Sequence, residues 1–477
     1  MESKKKSEVE GKLRNMTLVS VAECCGGKLH PANADLEKCA AGVVIDSKKA
    51  EKDYIFIATK GERVDGHSFI PQVMEKGALA VVCEREPEDE SVPYILVEDS
   101  FQALKDIAEY YRKQLSVRVV GITGSVGKTS TKEFIAGVLS QKYRVLKTEG
   151  NFNNEVGLPL TVLQIRQEHE VAVLEMGISH FGEMHRLSKI ARPDVCVMTN
   201  IGQCHLEFLG TREGILKAKS EIFDFADKDA AVFVNGDDDM LVTVPVHNGK
   251  APIHFGMSEK NDAYVTDIEN RGLFGSEAKI HLKGMEEGTE ECFAVSIPLP
   301  GEHMVYNALA AASVAKYMGL TIEQIQTGIS AVKPVGGRSN IIRADKYTLI
   351  DDCYNANPVS MEAAIDLLNM ALTRKVAVLG DMFELGENSD ALHERIGKYA
   401  VEHGVDMLLC VGENSRFMYE AALKKKEELG AETKLYYFAE QGQLEEVLEN
   451  LLEEKDTILI KASHSMEFEN VVKKLSQ

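Results

Sequence analysis

The sequence predicts an α/β protein of three domains. Short apolar runs alternate with helical stretches along most of the chain, which is typical of strands and helices packed in layers. A glycine-rich turn joins an apolar strand to a helix within residues 117–139, and a Pro-Val-Gly-Gly-Arg segment at residues 334–338 interrupts the alternation. We therefore expect a small α/β domain at residues 16–113, a central domain with a parallel sheet at 114–334 and a Rossmann-like domain at 335–477.

The individual elements follow from the apolar runs, taken in chain order. The first domain should contain strands at residues 43–45, 54–58, 80–83 and 94–97 and helices at 71–76 and 100–114. The central domain should contain strands at 117–122, 171–174, 194–200 and 229–234, an antiparallel appendage between 251 and 300, and helices at 128–139, 212–226 and 301–319. In the third domain, strands at 347–350, 375–379, 407–411, 435–438 and 458–460 alternate with helices at 360–373, 391–403, 414–429, 443–453 and 467–475.

The composition is that of a globular protein with a sizeable core. Of the 477 residues, 44% are hydrophobic and 27% are charged. The net charge of −21 argues against a nucleic-acid partner, which usually requires a basic face. Nine cysteines without a CxxC pair predict reduced thiols in the cytoplasm, and no apolar run reaches the roughly 18 residues of a membrane span. Residues 1–15 are charged and are expected to form a disordered extension.

The most informative segment is the glycine-rich turn at residues 121–130, GITGSVGKTS. Its glycines allow backbone N–H groups to point inward, Lys128 can reach the β- and γ-phosphates of a nucleotide, and the Thr129 hydroxyl can bind Mg²⁺. The spacing departs from the strict Walker pattern, because Gly121 lies one position too far upstream. An ATP or GTP site is the prediction, and a plain turn between a strand and a helix is the alternative. The residues assigned to the phosphate loop are Thr123, Gly124, Ser125, Val126, Gly127, Lys128, Thr129 and Ser130.

Three further segments of the central domain carry chemistry at or near strand ends. Glu175 closes an apolar strand, at the place where α/β nucleotide enzymes hold a Mg²⁺ ligand. His205 follows the next strand and is either a metal or phosphate contact or an ordinary loop histidine. The asparagine-rich loop at residues 147–159 has amides suited to a substrate or to phosphate oxygens. By itself, the helix that carries Lys219 predicts only a solvated charged face.

Outside the central domain the local signals are weaker. The loops at residues 46–48 and 60–67 are either solvated turns or contacts for a phosphate or a hydroxylated ligand. The third domain has no GxGxxG, so its strand–helix alternation does not imply a dinucleotide. The glycine pair at 336–337 is expected to be a hinge.

Taken together, these motifs resemble those of the Mur ligases, ATP-dependent amide-forming enzymes of peptidoglycan synthesis. The resemblance covers nearly the whole chain from Met16 and includes the unusual glycine spacing of residues 121–129. Residues 352–361, DCYNANPVSM, and 379–386, LGDMFELG, are similar to the branch that adds D-alanyl-D-alanine, and the Asp-Asn-Pro-Arg motif of the diamino-acid-adding branch is absent from the sequence. The resemblance implies an enzyme that uses ATP and Mg²⁺ to join D-alanyl-D-alanine to UDP-N-acetylmuramoyl-tripeptide, with ADP and phosphate as co-products. The sequence does not give the oligomeric state, and a monomer is the expectation.

The resemblance also assigns roles to single residues. Catalysis is assigned to Lys128, Glu175, His205 and Lys219, and Mg²⁺ binding to Thr129, Glu175, His205 and Lys219. Lys219 matches a lysine that is carbamylated in several members, a change that turns an ammonium into an anion. Further contacts to ATP are assigned to Asn307, Arg338 and Asp352. Contacts to the UDP moiety and the peptide substrates are assigned to Ser47, Asp65, Gly66, His67, Asn151, Asn153, Asn154, Asn355, Asn357, Lys461 and Ser463.

Two positions depart from the family pattern. Lys48 stands where arginine is usual after Asp46-Ser47, so a planar two-pronged contact becomes a point charge. His464 stands where arginine is usual after Lys461 and Ser463, which leaves the role of His464 open.

The reaction that the resemblance implies starts from a substrate carboxylate, which is a poor acyl donor. Phosphorylation of a substrate carboxylate by ATP gives an acyl phosphate with a good leaving group, and the amine of D-alanyl-D-alanine then attacks it. Closure of the third domain should exclude water from that intermediate. Two related activities remain as alternatives, a diamino-acid-adding Mur ligase and a folylpolyglutamate synthetase-like ligase. A P-loop ATPase that works as a binding module is the alternative of another class.

Overall fold

The computed structural model describes residues 12–61, 64–284, 289–334 and 336–476. Within these residues the strands form three sheets, of five, nine and six strands. Each sheet is mainly parallel and is covered by helices, so the predicted α/β class with three domains is confirmed. None of the helices in the described residues is long and apolar enough to cross a membrane. All nine cysteines are free thiols.

The first sheet has the strand order β1-β5-β4-β3-β2, and only β1 runs antiparallel to its neighbour. Its strands are Lys28–His30 (β1), Gly42–Val44 (β2), Tyr54–Ile57 (β3), Ala80–Cys83 (β4) and Tyr94–Leu96 (β5). The helices of this domain are Leu18–Cys24 (α1), Ile70–Glu75 (α2) and Ser100–Arg112 (α3). Neither β1 nor α1 is evident from the local sequence pattern.

Residues 12–15 differ from the prediction. Leu13 is fully buried, and its N–H donates a 2.8 Å hydrogen bond to the carbonyl oxygen of Ala40. Arg14 also reaches the carbonyl oxygen of Gln114. The assignment of residues 12–15 to a disordered extension is therefore wrong, because the buried Leu13 side chain anchors them. Residues 1–11 lie outside the described residues.

Helix α3 attaches the first domain to the central one. The hydroxyl of Tyr111 donates a 2.6 Å hydrogen bond to the carbonyl oxygen of Ile165, and the guanidinium of Arg112 donates to the carbonyl oxygen of Ala191. Both side chains are buried, and one apolar core runs continuously from the first domain into the central one. The two domains therefore pack as a single body along this helix.

The central sheet places its functional loops side by side. Its order is β14-β13-β12-β11-β10-β9-β6-β8-β7, with parallel pairing from β7 to β12 and antiparallel pairing among β12, β13 and β14. The strands are Arg118–Thr123 (β6), Val145–Lys147 (β7), Val171–Glu175 (β8), Val195–Met198 (β9), Ala231–Asn235 (β10), Ile253–Phe255 (β11), Ala263–Asn270 (β12), Ser276–Lys283 (β13) and Glu290–Ile297 (β14). The helices are Lys128–Leu139 (α4), Gly157–Val162 (α5), Glu183–Ala191 (α6), Leu206–Leu209 (α7), Arg212–Ser220 (α8), Glu302–Tyr317 (α9) and Ile322–Ser330 (α10). The predicted antiparallel appendage is confirmed for β12–β14, whereas β11 extends the parallel part.

The third sheet has the order β15-β16-β20-β17-β18-β19, and only β15 is antiparallel. Its strands are Asn340–Arg343 (β15), Thr348–Asp351 (β16), Lys375–Gly380 (β17), Met407–Val411 (β18), Lys434–Phe438 (β19) and Thr457–Lys461 (β20). The helices are Pro358–Asn369 (α11), Ser389–Glu402 (α12), Ser415–Leu429 (α13), Gln441–Leu451 (α14) and Glu469–Leu475 (α15).

The third domain contacts the central domain on both sides of the space between them. The guanidinium of Arg343 lies 4.7 Å from the ring centre of Phe274. On the other side, Nδ1 of His205 lies 2.6 Å from Oε2 of Glu384. The loops at the carboxyl ends of both sheets meet between these contacts.

Candidate active site

The glycine-rich turn after β6 forms a shaped loop that the neighbouring strand supports. The N–H of Val126 donates a 2.8 Å hydrogen bond to Oδ1 of Asn200, and the hydroxyl of Thr199 donates to the carbonyl oxygen of Val126. Gly124 has a φ of 149°, and a Cβ there would lie 2.0 Å from the Thr199 hydroxyl. Only glycine therefore fits this turn, which places the amino terminus of α4 next to the loop.

Lys128 lies across this loop. Its Nζ donates to the carbonyl oxygens of Gly124 at 2.8 Å and Ser125 at 3.3 Å. Desolvation lowers the pKa of Lys128, and the nearby carboxylate of Glu175 partly opposes that change. A lysine at the amino terminus of a helix, above a turn of inward N–H groups, is suited to hold the phosphates of a nucleotide.

Glu175 ends β8 directly beside the loop. Its Oε2 accepts a 2.8 Å hydrogen bond from the hydroxyl of Thr129, and its Oε1 accepts one of 2.8 Å from Nδ2 of Asn153. Glu175 and Thr129 are almost inaccessible, with exposures of 1% and 2%. Mg²⁺ is usually bound through one or two carboxylates together with phosphate oxygens, so this pair of oxygen donors fits that ion. Among the described residues no three His, Cys, Asp or Glu side chains form a metal site by themselves.

Lys132, one turn after Lys128, is a site residue that the sequence analysis missed. It is 1% exposed, and its Nζ donates to the carbonyl oxygen of Thr148 at 2.7 Å and lies 3.9 Å from Oε2 of Glu175. The Thr148 hydroxyl in turn accepts the N–H of Glu175 at 3.0 Å. Lys132 therefore fixes the loop that begins at Thr148 against the strand that carries Glu175. A lysine in a helix gives no local signal of such burial.

A cavity of about 750 Å³ separates the phosphate loop from the third domain. Both domains contribute to its wall. The site residues predicted from sequence that line it are Ser125, Val126, Gly127, Lys128, Thr129, Ser130, Asn151, Asn153, Asn154, Glu175, His205, Arg338, Asp352, Asn355, Asn357 and Lys461. The fold thus gathers most of the predicted site into one space.

The wall contributed by the third domain is built around Lys461 at the end of β20. Its Nζ donates to Oδ2 of Asp352 at 2.6 Å and to the carbonyl oxygen of Asn355 at 2.8 Å. The guanidinium of Arg338 stacks 3.9 Å from the ring centre of Tyr354. Asn357 lines the cavity and also caps α11, because its Oδ1 accepts the N–H of Ser360. This wall therefore presents two cations towards the phosphate loop.

Asn307 lies in an adjoining cavity of about 630 Å³ on the other side of the loop. Its Oδ1 accepts a 2.7 Å hydrogen bond from the hydroxyl of Thr131, and its side chain is 5% exposed. His303 lines both cavities, and burial lowers its pKa. A pocket beside a phosphate loop, with an amide and an aromatic wall from Tyr306 and Phe255, has the shape and chemistry for a nucleoside.

His205 and Glu384 join the two domains at the edge of the larger cavity. The 2.6 Å contact is not aligned as a regular hydrogen bond, since Nδ1 of His205 has no such partner among the described residues. The contact nevertheless lowers the pKa of Glu384. Both residues have left-handed backbones, with φ of 51° and 61°. Glu384 belongs to the motif at residues 379–386, but the sequence alone predicts no role for it.

Lys219 lies in the last turn of α8 and does not line the larger cavity. It is 1% exposed, and burial lowers its pKa to about 8. After burial, the groups that act on the pKa of Lys219 are Cys204, which raises it, Lys128, which lowers it, and Glu183, which raises it. A solvated charged face, the expectation from local pattern alone, is therefore wrong for Lys219.

The remaining predicted residues do not line the larger cavity. In the first domain, Oδ1 of Asp65 accepts hydrogen bonds from the N–H of His67 and from its Nδ1, while Nε2 of His67 accepts the N–H of Glu84. The pKa of Asp65 is lowered to about 2, mainly by the hydrogen bond from the His67 backbone. The predicted residues outside the wall are Ser47, Asp65, Gly66, His67, Thr123, Gly124, Lys219, Asn307 and Ser463. Ser463 instead accepts the N–H of Phe383 at 2.9 Å.

Three family models match successive parts of the chain. The description "Mur ligase family, catalytic domain" covers residues 40–112, "Mur ligase middle domain" covers 122–315, and "Mur ligase, glutamate ligase domain" covers 337–464. The chain is 39% identical over 469 residues to the UDP-N-acetylmuramoyl-tripeptide–D-alanyl-D-alanine ligase of Bacillus subtilis, covering 96% of this chain and 98% of the relative. It is 34% identical over 467 residues to the ligase of the same name from Escherichia coli, covering 97% and 99%.

Solved structures of Mur ligases are also similar to this chain over most of its length. A crystal structure of MurF from Acinetobacter baumannii has a TM-score of 0.86 and 32% identity, with 98% of this chain and 99% of that chain covered. MurF ligase from Thermotoga maritima, in complex with ADP, has a TM-score of 0.78 and 31% identity, with 91% and 97% covered. With matches over nearly its whole length and a phosphate loop that faces a third domain across a cavity, the chain belongs to the Mur ligase family of ATP-dependent ligases.

Proposed function

We propose that this enzyme joins D-alanyl-D-alanine to the terminal carboxylate of UDP-N-acetylmuramoyl-tripeptide, with conversion of ATP to ADP and phosphate. The observation that carries the proposal is the cavity between the phosphate loop and the third domain, with Lys128 and Glu175 on one side and Asp352 and Lys461 on the other. The names of the full-length relatives and the motifs at residues 352–361 and 379–386 support this member of the family.

The first step overcomes the poor reactivity of a carboxylate. Transfer of the γ-phosphoryl group of ATP to the tripeptide carboxylate forms an acyl phosphate and releases ADP. Both reactants are anionic, so Lys128 and the N–H groups of the loop stabilise the charge of the transition state. A bound Mg²⁺, held by the Thr129 hydroxyl and the Glu175 carboxylate, would offset further phosphate charge.

The second step forms the amide bond. The neutral amine of D-alanyl-D-alanine attacks the acyl carbon, and the tetrahedral intermediate expels phosphate with the electron pair of the broken C–O bond. The proton that the nitrogen loses goes to the departing phosphate. Water competes for the same acyl carbon, so the third domain must cover the intermediate. Arg338 and Lys461 lie on that covering wall and would contact the phosphate groups.

Further roles rest on the family resemblance and on where the residues lie. We infer that Lys219 is carbamylated and, with His205, helps to hold a second metal ion, and that Asn307 contacts the adenine. Asn151, Asn153, Asn154, Asn355 and Asn357 contact the peptide substrates, and Ser47, Asp65, Gly66 and His67 bind the UDP moiety. The enzyme is proposed to act as a monomer in the cytoplasm, where ATP is available and its nine free thiols stay reduced.

The test is ADP release by the purified chain. ATP and UDP-N-acetylmuramoyl-tripeptide are supplied with and without D-alanyl-D-alanine, and the product mass is measured. We expect sustained turnover only with all three substrates. ADP release without any peptide substrate would identify a P-loop ATPase, and activity with a diamino acid and the shorter UDP-dipeptide would identify the related ligase.

A further inference from the structure

The loop after β17 is fixed at successive backbone positions. The N–H of Met382 donates a 2.9 Å hydrogen bond to Nε2 of His393, and the N–H of Phe383 donates one of 2.9 Å to the hydroxyl of Ser463. His393 and Ser463 are both buried. The next residue, Glu384, has a φ of 61°, which a residue other than glycine adopts only where its surroundings enforce it. Such backbone conformations recur at functional sites, and here the fixed backbone places Glu384 on the cavity wall.

That carboxylate is the least engaged acid on the cavity wall. The cavity wall contains five acidic side chains. Four of them have at least two polar partners: Glu155, Glu175, Glu183 and Asp352. Among the described residues Glu384 has a single polar contact, with Nδ1 of His205. Its side chain remains 49% exposed towards the cavity. Glu384 therefore has acceptor capacity left for a ligand.

Glu384 differs in charge from the groups on the cavity wall that suit phosphate. Lys128, Arg338 and Lys461 line the same cavity and suit ATP and the acyl phosphate, but they would repel a second cation. The proposed co-substrate carries one, because an α-amino group has a pKa of about 7.7–8.0 and is mostly protonated at neutral pH. An ammonium group leaving water requires an anionic acceptor close to where it will react.

We propose that the carboxylate of Glu384 receives the ammonium group of the incoming D-alanyl-D-alanine. This inference rests on the proposed function, and it names the residue that selects and positions the amine. Glu384 belongs to the third domain, whereas its contact His205 belongs to the central domain. The ammonium group is thus held on the domain that closes over the acyl phosphate. As the two walls come together it passes one proton to the Glu384 carboxylate, and the neutral amine that results attacks the acyl carbon.

The experiment compares Glu384→Gln with wild type. We expect the KM for D-alanyl-D-alanine to rise roughly tenfold to a hundredfold, the range for loss of one charge-assisted hydrogen bond. The KM values for ATP and for the UDP-tripeptide should change less than about twofold. Glu387→Gln is the matched control. It makes the same Glu-to-Gln change in the same loop, but Glu387 is exposed and lies off the cavity wall. Glu384→Asp should recover part of the affinity.

A second readout separates amine binding from a role in holding the domains together. Hydroxylamine, which is uncharged at neutral pH, can trap the acyl phosphate as a hydroxamate without needing an anionic acceptor. Glu384→Gln should form hydroxamate at the wild-type rate. An unchanged KM for D-alanyl-D-alanine, or a parallel loss of hydroxamate formation, would overturn the inference. If wild type forms hydroxamate but never uses D-alanyl-D-alanine, the proposed function itself fails, and the two failures are therefore distinct.

Discussion

The hydroxyl of Thr129 donates a 2.8 Å hydrogen bond to the carboxylate of Glu175, which connects the phosphate loop after β6 to the end of the adjacent strand β8. Both side chains are buried, with Lys132 3.9 Å from the same carboxylate oxygen. Burying a carboxylate costs free energy unless it is paired and hydrogen-bonded. Glu175 has those partners, so the pair is prepared to receive a cation without rearrangement.

Glu175→Gln should therefore lower kcat by about a hundredfold or more, as expected when a preorganised charge that stabilises the transition state is removed. Folding should persist, since the amide keeps the shape of the side chain. ADP release under saturating substrates and the melting temperature measure the two effects. Glu149→Gln provides the control, because Glu149 is exposed on the adjoining loop. Wild-type turnover in Glu175→Gln would contradict the assigned role.

The fold was predictable where strands are buried on both faces. The run at residues 171–174 is continuously apolar because helices cover both sides of a parallel sheet, and the same holds for 407–411. Strands β1 and β15 were missed. They are short, only partly buried edge strands that pair antiparallel, so tertiary contact rather than local pattern creates them.

The site residues were predictable where a short sequence motif marks them. The phosphate loop and Glu175 are marked by a turn and a strand end, and adjacent parallel strands bring them together. Lys132 and the contact between His205 and Glu384 carry no such mark. Lys132 is an ordinary helix residue until packing buries it, and the other two meet only because separate domains are docked.

Lys219→Ala should lower turnover by about a hundredfold or more if its carbamate is needed. Carbon dioxide reacts with the neutral amine, and a pKa of about 8 leaves about a tenth of Lys219 neutral at pH 7, against less than about a thousandth for a lysine at its usual pKa. Wild type should lose activity in buffer free of carbon dioxide and regain it with bicarbonate. Lys217→Ala, at an exposed position of the same helix, should behave as wild type. Full activity in Lys219→Ala would refute the modification.

The stability of the third domain should depend on the protonation of His393. Burial lowers its pKa, with Asp381 and Asp390 opposing that change, and its Nε2 accepts the N–H of Met382 only while neutral. In the unfolded state His393 has a pKa of about 6.5, so below that pH the unfolded chain binds more protons than the folded protein. The contribution of His393 to the free energy of unfolding is therefore fully present above about pH 6.5 and is lost as the pH falls towards the pKa of His393 in the folded state.

Wild type should therefore lose melting temperature more steeply between about pH 7 and pH 5.5 than His393→Gln, whose side chain does not titrate. Differential scanning fluorimetry across that range measures the difference. His403→Gln is the control, because His403 is exposed just beyond the same helix. Parallel slopes in wild type and His393→Gln would show that His393 does not carry this dependence.

Bound ligands should hold the central and third domains together. Contacts between them in the described structure include Arg343 with Phe274, His205 with Glu384 and Asn270 with Met370. Such an interface leaves domain motion possible in solution. Small-angle X-ray scattering with a non-hydrolysable ATP analogue and the UDP-tripeptide should give a smaller radius of gyration than the free enzyme. An unchanged radius would count against closure as part of the cycle.

Gly337 should be essential to that motion. It has a φ of 73°, its N–H donates to the Asp351 carboxylate, and a Cβ there would lie 3.2 Å from the Cβ of Tyr354. Gly337→Ala should change kcat and KM together, as expected at a hinge, and should reduce the compaction with ligands. Gly430→Ala is matched for backbone strain, since its φ is 62°, but it meets nothing within 4 Å and lies far along the third domain. Equal losses of activity in the two variants would reflect instability alone, whereas a loss confined to Gly337→Ala places the hinge at this residue.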